Sequence, residues 1–386
     1  MTGPRHDAAA FVTPNRKRAK TRMYTTVVGC PVAELDTPAL VLDLDAFEHN
    51  LATMAADIAA RGVSWRPHAK AHKSPAVAHR QIAAGAIGVT CAKVSEAEVF
   101  AANGIRDILI ANEVVGPIKT RRLAAVCRQA DVIVAVDSAD NVREHDRAAA
   151  AAGSKPRVVI EVNVGMERAG VLPGAPAVEL AKLVASMPNL RFAGVMAWEG
   201  HTMAMQGGDE RVAEINAAVN RLLETAQACR DAGLTVDIVS AGGTGTYLTT
   251  VGIAGVTEVQ AGGGVFGDVV YRRLGVNVKP ALSVLATVTS RPTATRVIID
   301  AGRKTIDPSS RQPDILELPE VEKMGFSAEH GTLHLPAPSD TPRVADRLTL
   351  QSGYSDQLCH LHEHIYGVRD GLVETVWPVA GRGRLQ

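Results

Sequence analysis

The sequence predicts an α/β protein: a (β/α)8 barrel followed by a C-terminal antiparallel β-domain. Three observations carry this prediction. Eight short apolar runs alternate with amphipathic helical stretches between residues 63 and 262. Beyond about residue 278 the helical stretches give way to strand-like pieces punctuated by Gly and Pro. Aromatic residues make up only 4% of the 386 residues, while Ala and Gly are plentiful, which suits close helix–sheet packing better than a β-sandwich. Eight β/α repeats in series close into a barrel; a doubly wound open sheet is the competing arrangement.

Along the chain, residues 1–23 are polar and basic (Arg5, Arg16, Lys17, Arg18, Lys20, Arg22) and lack the apolar segment of a secretory signal. A tail or an upstream start codon is the expected reading, an organelle or nucleic-acid role the alternative. A strand at 39–44 precedes the barrel and can join the C-terminal sheet, so that both chain ends build one domain. Barrel strands are expected at 63–69, 87–93, 107–112, 132–137, 157–164, 192–198, 235–241 and 256–262. Helices are expected at 95–103, 117–129, 177–186 and 210–232. The last carries Val212, Ile215, Val219, Leu222 and Leu223 at helical spacing. Gly104, Gly153 and Gly233 stand where helices stop. C-terminal strands follow at 281–290, 295–301, 331–335, 347–350, 364–369 and 372–378. The expected division is a tail over 1–35, a barrel over 36–277 and a β-domain over 278–386.

Charge and cysteine usage narrow the function classes. With 41 basic and 41 acidic residues, the chain lacks the basic excess of a nucleic-acid binder. No apolar run approaches the roughly 18 residues that span a bilayer. Cys30, Cys91, Cys127, Cys229 and Cys359 are odd in number and form no CxxC pair. Neither a disulfide framework nor a four-cysteine zinc site is expected, and a cytoplasmic setting is.

Two motifs carry chemistry. The first barrel strand ends in Arg66-Pro67-His68-Ala69-Lys70-Ala71-His72-Lys73. Strand C-termini form the active face of a barrel. A lysine there can form a Schiff base with a carbonyl cofactor once neighbouring cations such as His68, His72 and Lys73 lower its pKa. A basic loop for an anionic substrate is the other reading. Strands seven and eight run into Gly242-Gly243-Thr244-Gly245-Thr246 and Gly262-Gly263-Gly264. Loops after these two strands are the recurrent phosphate site of barrels, because glycine lets backbone N–H groups reach phosphate oxygens. Tight turns without a ligand are the alternative. A Schiff-base lysine opposite a phosphate cradle points to pyridoxal 5′-phosphate (PLP).

At this point the chain resembles the D-threonine aldolase/D-serine dehydratase family, which also includes 3-hydroxy-D-aspartate aldolases. The resemblance rests on the Lys70 motif, on Cys91-Ala92-Lys93-Val94-Ser95-Glu96-Ala97-Glu98, on 161–170, on 240–247 and on Trp377-Pro378-Val379. It spans roughly residues 35–381. It implies an alanine racemase-like barrel of fold type III and a homodimer acting on a small amino-acid substrate, with neither nucleic acid nor membrane as partner. It makes Lys70 the cofactor lysine and His68 its catalytic neighbour, tuning the amine or relaying protons. It places Arg168 beside the cofactor ring, and Gly242, Gly243, Thr244, Gly262 and Gly263 at the phosphate.

Two departures matter. Trp198 stands where the family has a tyrosine, in Ala197-Trp198-Glu199-Gly200, and is expected to pack against cofactor or substrate. The family's divalent metal site reads His-x-Asp or His-x-Cys; the matching triplet here is Tyr354-Ser355-Asp356. Asp356 is therefore the expected metal residue, holding Mg²⁺ or Mn²⁺ weakly or not at all. Cys359, His360, His362 and His364 offer a displaced site if the three histidines share one face of a strand.

The activity so implied is a lyase for D-β-hydroxy-α-amino acids. Retro-aldol cleavage to glycine and an aldehyde comes first, because Asp356 rather than Cys occupies the second metal position. An ammonia-releasing dehydratase is second, and a metal-independent transaldolase or racemase third. Outside enzymes, a non-catalytic PLP-binding protein is the alternative, against which the β-domain argues.

Overall fold

The computed structural model describes residues 27–386; the basic segment 1–23 lies outside the described residues. Eight parallel strands make the barrel: β2 (Ser64–Trp65), β3 (Val89–Cys91), β4 (Asp107–Glu113), β5 (Asp131–Val136), β6 (Arg157–Glu161), β7 (Arg191–Met196), β8 (Ile238–Ala241) and β9 (Glu258–Val259). They lie in the order β2-β9-β8-β7-β6-β5-β4-β3. The ring closes between the first and last of these. Ile87 N donates to Trp65 O at 2.8 Å, Thr90 N to Pro67 O at 2.9 Å, and His68 bridges Thr90 in parallel register. The strand expected over 63–69 is thus only two residues long. Pro67 has no N–H for a ladder, and the chain turns at Ala69–Ala71 into a 3-10 helix.

Strands β2 to β7 are each followed by an α-helix that buries apolar residues on one side. The 23-residue helix Asp209–Asp231 buries Ile215, Ala218, Val219, Leu222 and Ala226. Ser138 caps Ala139–Ala152 by accepting from Asn141 N, and Gly153 ends it in the left-handed region at φ 61°. No described helix is long and apolar enough to cross a membrane.

The second sheet contains β1 (Ala39–Asp43), β10 (Leu282–Thr293), β11 (Arg296–Ile299), β12 (Asp314–Ile315), β13 (Lys323–Phe326), β14 (Gly331–His334), β15 (Arg347–Gln351), β16 (His364–Arg369) and β17 (Leu372–Pro378). All its pairings are antiparallel except β1 with β16. Strand β1 sits between β10 and β16, so the chain enters this sheet before it builds the barrel. The helix Leu44–Ala59 then leads into the barrel, capped by Asp43, whose carboxylate accepts from Ala46 N at 2.9 Å. Strands β12 and β13 had no counterpart in the sequence reading; they are two and four residues long.

The junction between the two sheets places the site. After β15 the chain makes a short helical turn, Ser355–Leu358, and a 3-10 turn, Cys359–Leu361. The Asp268 carboxylate, buried at the end of the barrel, accepts from Ser355 N at 2.8 Å and Ser355 Oγ at 2.6 Å. That clamp holds residues 354–356 over the barrel mouth.

Candidate active site

A cavity of about 530 Å³ opens at the C-terminal ends of the barrel strands, within the range of small-molecule sites. It brings together every expected site position: His68, Lys70, Arg168, Trp198, Gly242, Gly243, Thr244, Gly262, Gly263 and Asp356.

Two lysines of the first motif end up in different environments. Lys73 adopts φ 50°, is buried, and forms an ion pair with the buried Glu96. Glu96 also accepts from Ala92 N and Lys93 N, which fixes the loop. Lys70 instead projects into the cavity, with its Nζ 3.3 Å from Asp356 Oδ2. His68 Nδ1 accepts from Lys70 N at 3.4 Å, capping the turn that carries the lysine. Loss of water, then the Lys70 and Lys73 cations and His72, hold the His68 imidazole well below its ordinary pKa. His68 therefore stays neutral and orients the lysine turn.

Arg168 sits on a loop shaped by Asn163, whose Oδ1 accepts from Gly165 N at 3.1 Å and Glu167 N at 3.2 Å. Its Nη2 lies 3.6 Å from Glu161 Oε1. Glu161 and Glu113 end strands β6 and β4 and face the same cavity. Burial and the neighbouring Glu113 push Glu161 well above the usual carboxylate range, to about 8.

The two glycine loops are tied together. Gly263 N donates to Thr244 Oγ1 at 3.1 Å. Under the first loop, the fully buried Glu199 accepts from Thr246 Oγ1 at 2.7 Å, Thr250 Oγ1 at 3.0 Å and Gly242 N at 3.3 Å. Arg211 reaches from its helix to donate to Gly245 O at 2.7 Å. Trp198 packs against the loop: a Cβ on Gly243 would come within 2.5 Å of the indole. The glycines thus have separate duties. Gly243 makes room for Trp198, whereas a Cβ on Gly262 would meet His68 O at 2.3 Å, so Gly262 serves barrel closure. A cavity with an accessible lysine amine, glycines whose Cβ would fill the floor and an arginine alongside fits PLP.

The metal expectations fare differently. Asp356 is engaged by Lys70 and by Tyr354, whose hydroxyl donates to Asp356 Oδ2 at 2.9 Å. Among the described residues no group of three His, Cys, Asp or Glu side chains is arranged to hold a metal ion. The displaced site requires correction: residues 359–361 form a helical turn, so His360, His362 and His364 do not alternate along one strand face. His362 Nε2 instead meets Thr305 O at 2.8 Å, and Cys359 is buried with its thiol pushed up by burial. The donor set does not fit a resident divalent cation. Sequence reasoning also passed over Glu113, Glu161, Ser310 and Tyr271, all on the cavity wall. For the two glutamates a signal was present, a carboxylate ending each apolar strand; Tyr271 and Ser310 carry none.

Comparison with known proteins gives a consistent picture. Residues 42–270 match the alanine racemase N-terminal domain, and residues 281–368 match the putative serine dehydratase domain. The chain is 39% identical over 362 residues to the D-threonine aldolase of an Arthrobacter species, covering 92% of this chain and 95% of that protein. It is 36% identical over 367 residues to the 3-hydroxy-D-aspartate aldolase of Paracoccus denitrificans (strain Pd 1222), covering 92% and 94%. A crystal structure of D-threonine aldolase from Filomicrobium marinum superposes with a TM-score of 0.90 at 40% identity, covering 93% of this chain and 98% of that one.

Proposed function

The chain belongs to the alanine racemase N-terminal domain family, extended by a serine-dehydratase-type C-terminal domain. On that premise we propose that it is a PLP-dependent lyase that cleaves D-β-hydroxy-α-amino acids to glycine and an aldehyde. One observation carries the reading: the Lys70 amine stands in the cavity beside an acidic group, Asp356, on a barrel whose last two loops are glycine-rich.

When bound, the cofactor supplies an electron sink for the bond broken next to the amino group. Lys70 would anchor it and, as a free amine, move a proton at the substrate Cα. The loops 242–245 and 262–264 would hold its phosphate, with Arg168 and Trp198 lining the cavity beside it. Glu161 holds the Arg168 guanidinium in place. Tyr354 and Asp356, opposite the barrel loops, face the β-hydroxyl oxygen. A homodimer is part of this proposal, as is a small amino acid as the only substrate partner.

The deciding assay offers D-threonine, 3-hydroxy-D-aspartate and D-serine to the purified holoenzyme and reads glycine against ammonia. Glycine with acetaldehyde or glyoxylate is expected, from the D-isomers alone. Ammonia with a keto acid would make it a dehydratase. Neither product, with cofactor bound, would make it a PLP-binding protein without turnover.

A further inference from the structure

Cleavage of a β-hydroxy amino acid to glycine and an aldehyde is, in net terms, the transfer of one proton from the β-oxygen to Cα. A base must take the hydroxyl proton as the Cα–Cβ bond breaks, and an acid must deliver a proton to Cα afterwards. The cavity contains a continuous path between these two positions. Tyr354 Oη donates to Asp356 Oδ2 at 2.9 Å, and the same Oδ2 lies 3.3 Å from Lys70 Nζ. All three side chains line the cavity. Asp356 is contacted by the Lys70 amine and the Tyr354 phenol, two groups that can pass a proton and that leave the carboxylate, among the described residues, without a second metal-ligating side chain beside it.

We infer that Tyr354, Asp356 and Lys70 form a metal-independent proton relay that carries the β-hydroxyl proton to Cα. This rests on the lyase reading above. The substrate O–H bond breaks as its proton passes to the Tyr354 oxygen, while the Tyr354 proton passes to Asp356. The hydroxyl oxygen becomes the aldehyde carbonyl, and the Cα–Cβ electron pair is held on the cofactor side. Asp356 returns its proton to the Lys70 amine, and Lys70 delivers a proton to Cα, giving glycine. No proton is gained or lost, and no co-reactant is needed. Tyr354 is a catalytic residue here, because its oxygen meets the reacting hydroxyl.

The surroundings support a phenol that relays without ionising. Burial and the Asp356 carboxylate push the Tyr354 hydroxyl well above its ordinary pKa. The Tyr271 ring meets the Tyr354 ring edge-on at 6.1 Å between centroids. The Asp268–Ser355 clamp fixes the backbone between Tyr354 and Asp356. The relay is therefore set rigidly against the lysine.

The test uses holoenzyme, Tyr354→Phe and three readouts. Wild type is expected to bind no stoichiometric Mn²⁺ in equilibrium dialysis and to keep its activity in EDTA. Tyr354→Phe is expected to lose cleavage by about 100-fold or more. The same variant is expected still to exchange the α-proton of glycine in D₂O, since Lys70 serves Cα without the phenol. Stoichiometric Mn²⁺ binding with loss of activity in EDTA would overturn the relay. So would undiminished cleavage by Tyr354→Phe, or loss of cleavage and glycine exchange together, which marks a merely structural role. If wild type yields no glycine and aldehyde from any D-β-hydroxy amino acid, the lyase reading falls and takes the relay with it.

Discussion

The two walls of the cavity are built on different principles. The barrel wall takes its side chains from the ends of successive strands, so Lys70, Arg168 and the glycine loops sit where the repeat puts them. The opposing wall is built largely by one short turn after β15, clamped by the buried Asp268 carboxylate and by backbone bonds from Val269 N to Ser352 O and Val270 N to Gly353 O. On the proposed function, the barrel wall would hold the cofactor through the Lys70 amine, the glycine loops and Arg168, and the other wall would meet the substrate hydroxyl through Tyr354 and Asp356. Binding and reaction choice would then be separated, so that changes at 354–356 redirect chemistry without disturbing the cofactor site.

The largest effect should come from the barrel wall. Lys70→Ala is expected to reduce turnover by at least about 10³-fold, since it removes both the anchor and the proton carrier at Cα. Borohydride reduction of the yellow holoenzyme, followed by peptide mapping, should label Lys70. A label on Lys73 would break the comparison, because that amine is buried against Glu96 and could reach the cofactor only if the loop were rebuilt.

Next comes the support under the cradle. Glu199 accepts hydrogen bonds from Gly242 N and Thr246 Oγ1 of the first glycine loop and from Thr250 Oγ1 of the helix that follows. Glu199→Ala leaves the Thr246 and Thr250 hydroxyls without this acceptor, so cofactor affinity should fall by about 10- to 100-fold, as for losing charged hydrogen bonds in a buried place. Equilibrium dialysis against PLP reads this directly. With saturating cofactor the glycine-to-ammonia ratio should match wild type; an altered ratio would mean that the walls are not independent.

The same contrast governs what the sequence disclosed. The barrel was legible because β/α repetition is a long-range periodic signal, and strand ends then assign positions without further information. Its errors were local. Residues 63–69 contract to Ser64–Trp65, since Pro67 ends the ladder. The opposing wall has no period. Strand β12 is two residues long, and the histidines from His360 to His364 alternate in sequence while the backbone passes from a 3-10 turn at His360 to strand β16 at His364. Tyr271 joins Tyr354 only through the packing of two sheets, a contact between residues 83 positions apart that no local pattern encodes.

The smallest predicted effect tests stability away from either wall. His145, on the helix Ala139–Ala152, is 1% exposed, and burial lowers its pKa to about 4. His72 is lowered to about 3 by burial, and His68 is held well below 6.5. Each is a base whose folded pKa is depressed. Below about pH 6.5 the unfolded chain takes up protons that the folded chain refuses, so stability is full above that pH and is lost as pH falls toward the folded values. The buried Asp268 carboxyl, raised to about 7, works in the opposite sense: its contribution is present at low pH and declines as pH rises. The net pH dependence therefore mixes signs, and a single-site variant is needed to separate them. His145→Leu removes one titrating group while keeping an apolar side chain among Val142 and Ala149. Relative to wild type, it should gain about 1.4 kcal/mol at about pH 5.5 compared with about pH 8, the worth of one pH unit below the ordinary histidine pKa. Denaturant unfolding at the two pH values measures the difference. Parallel pH slopes for variant and wild type would show that the His145 imidazole is protonated in the folded state, and that acid lability resides in the lysine turn of the barrel wall, at His68 and His72.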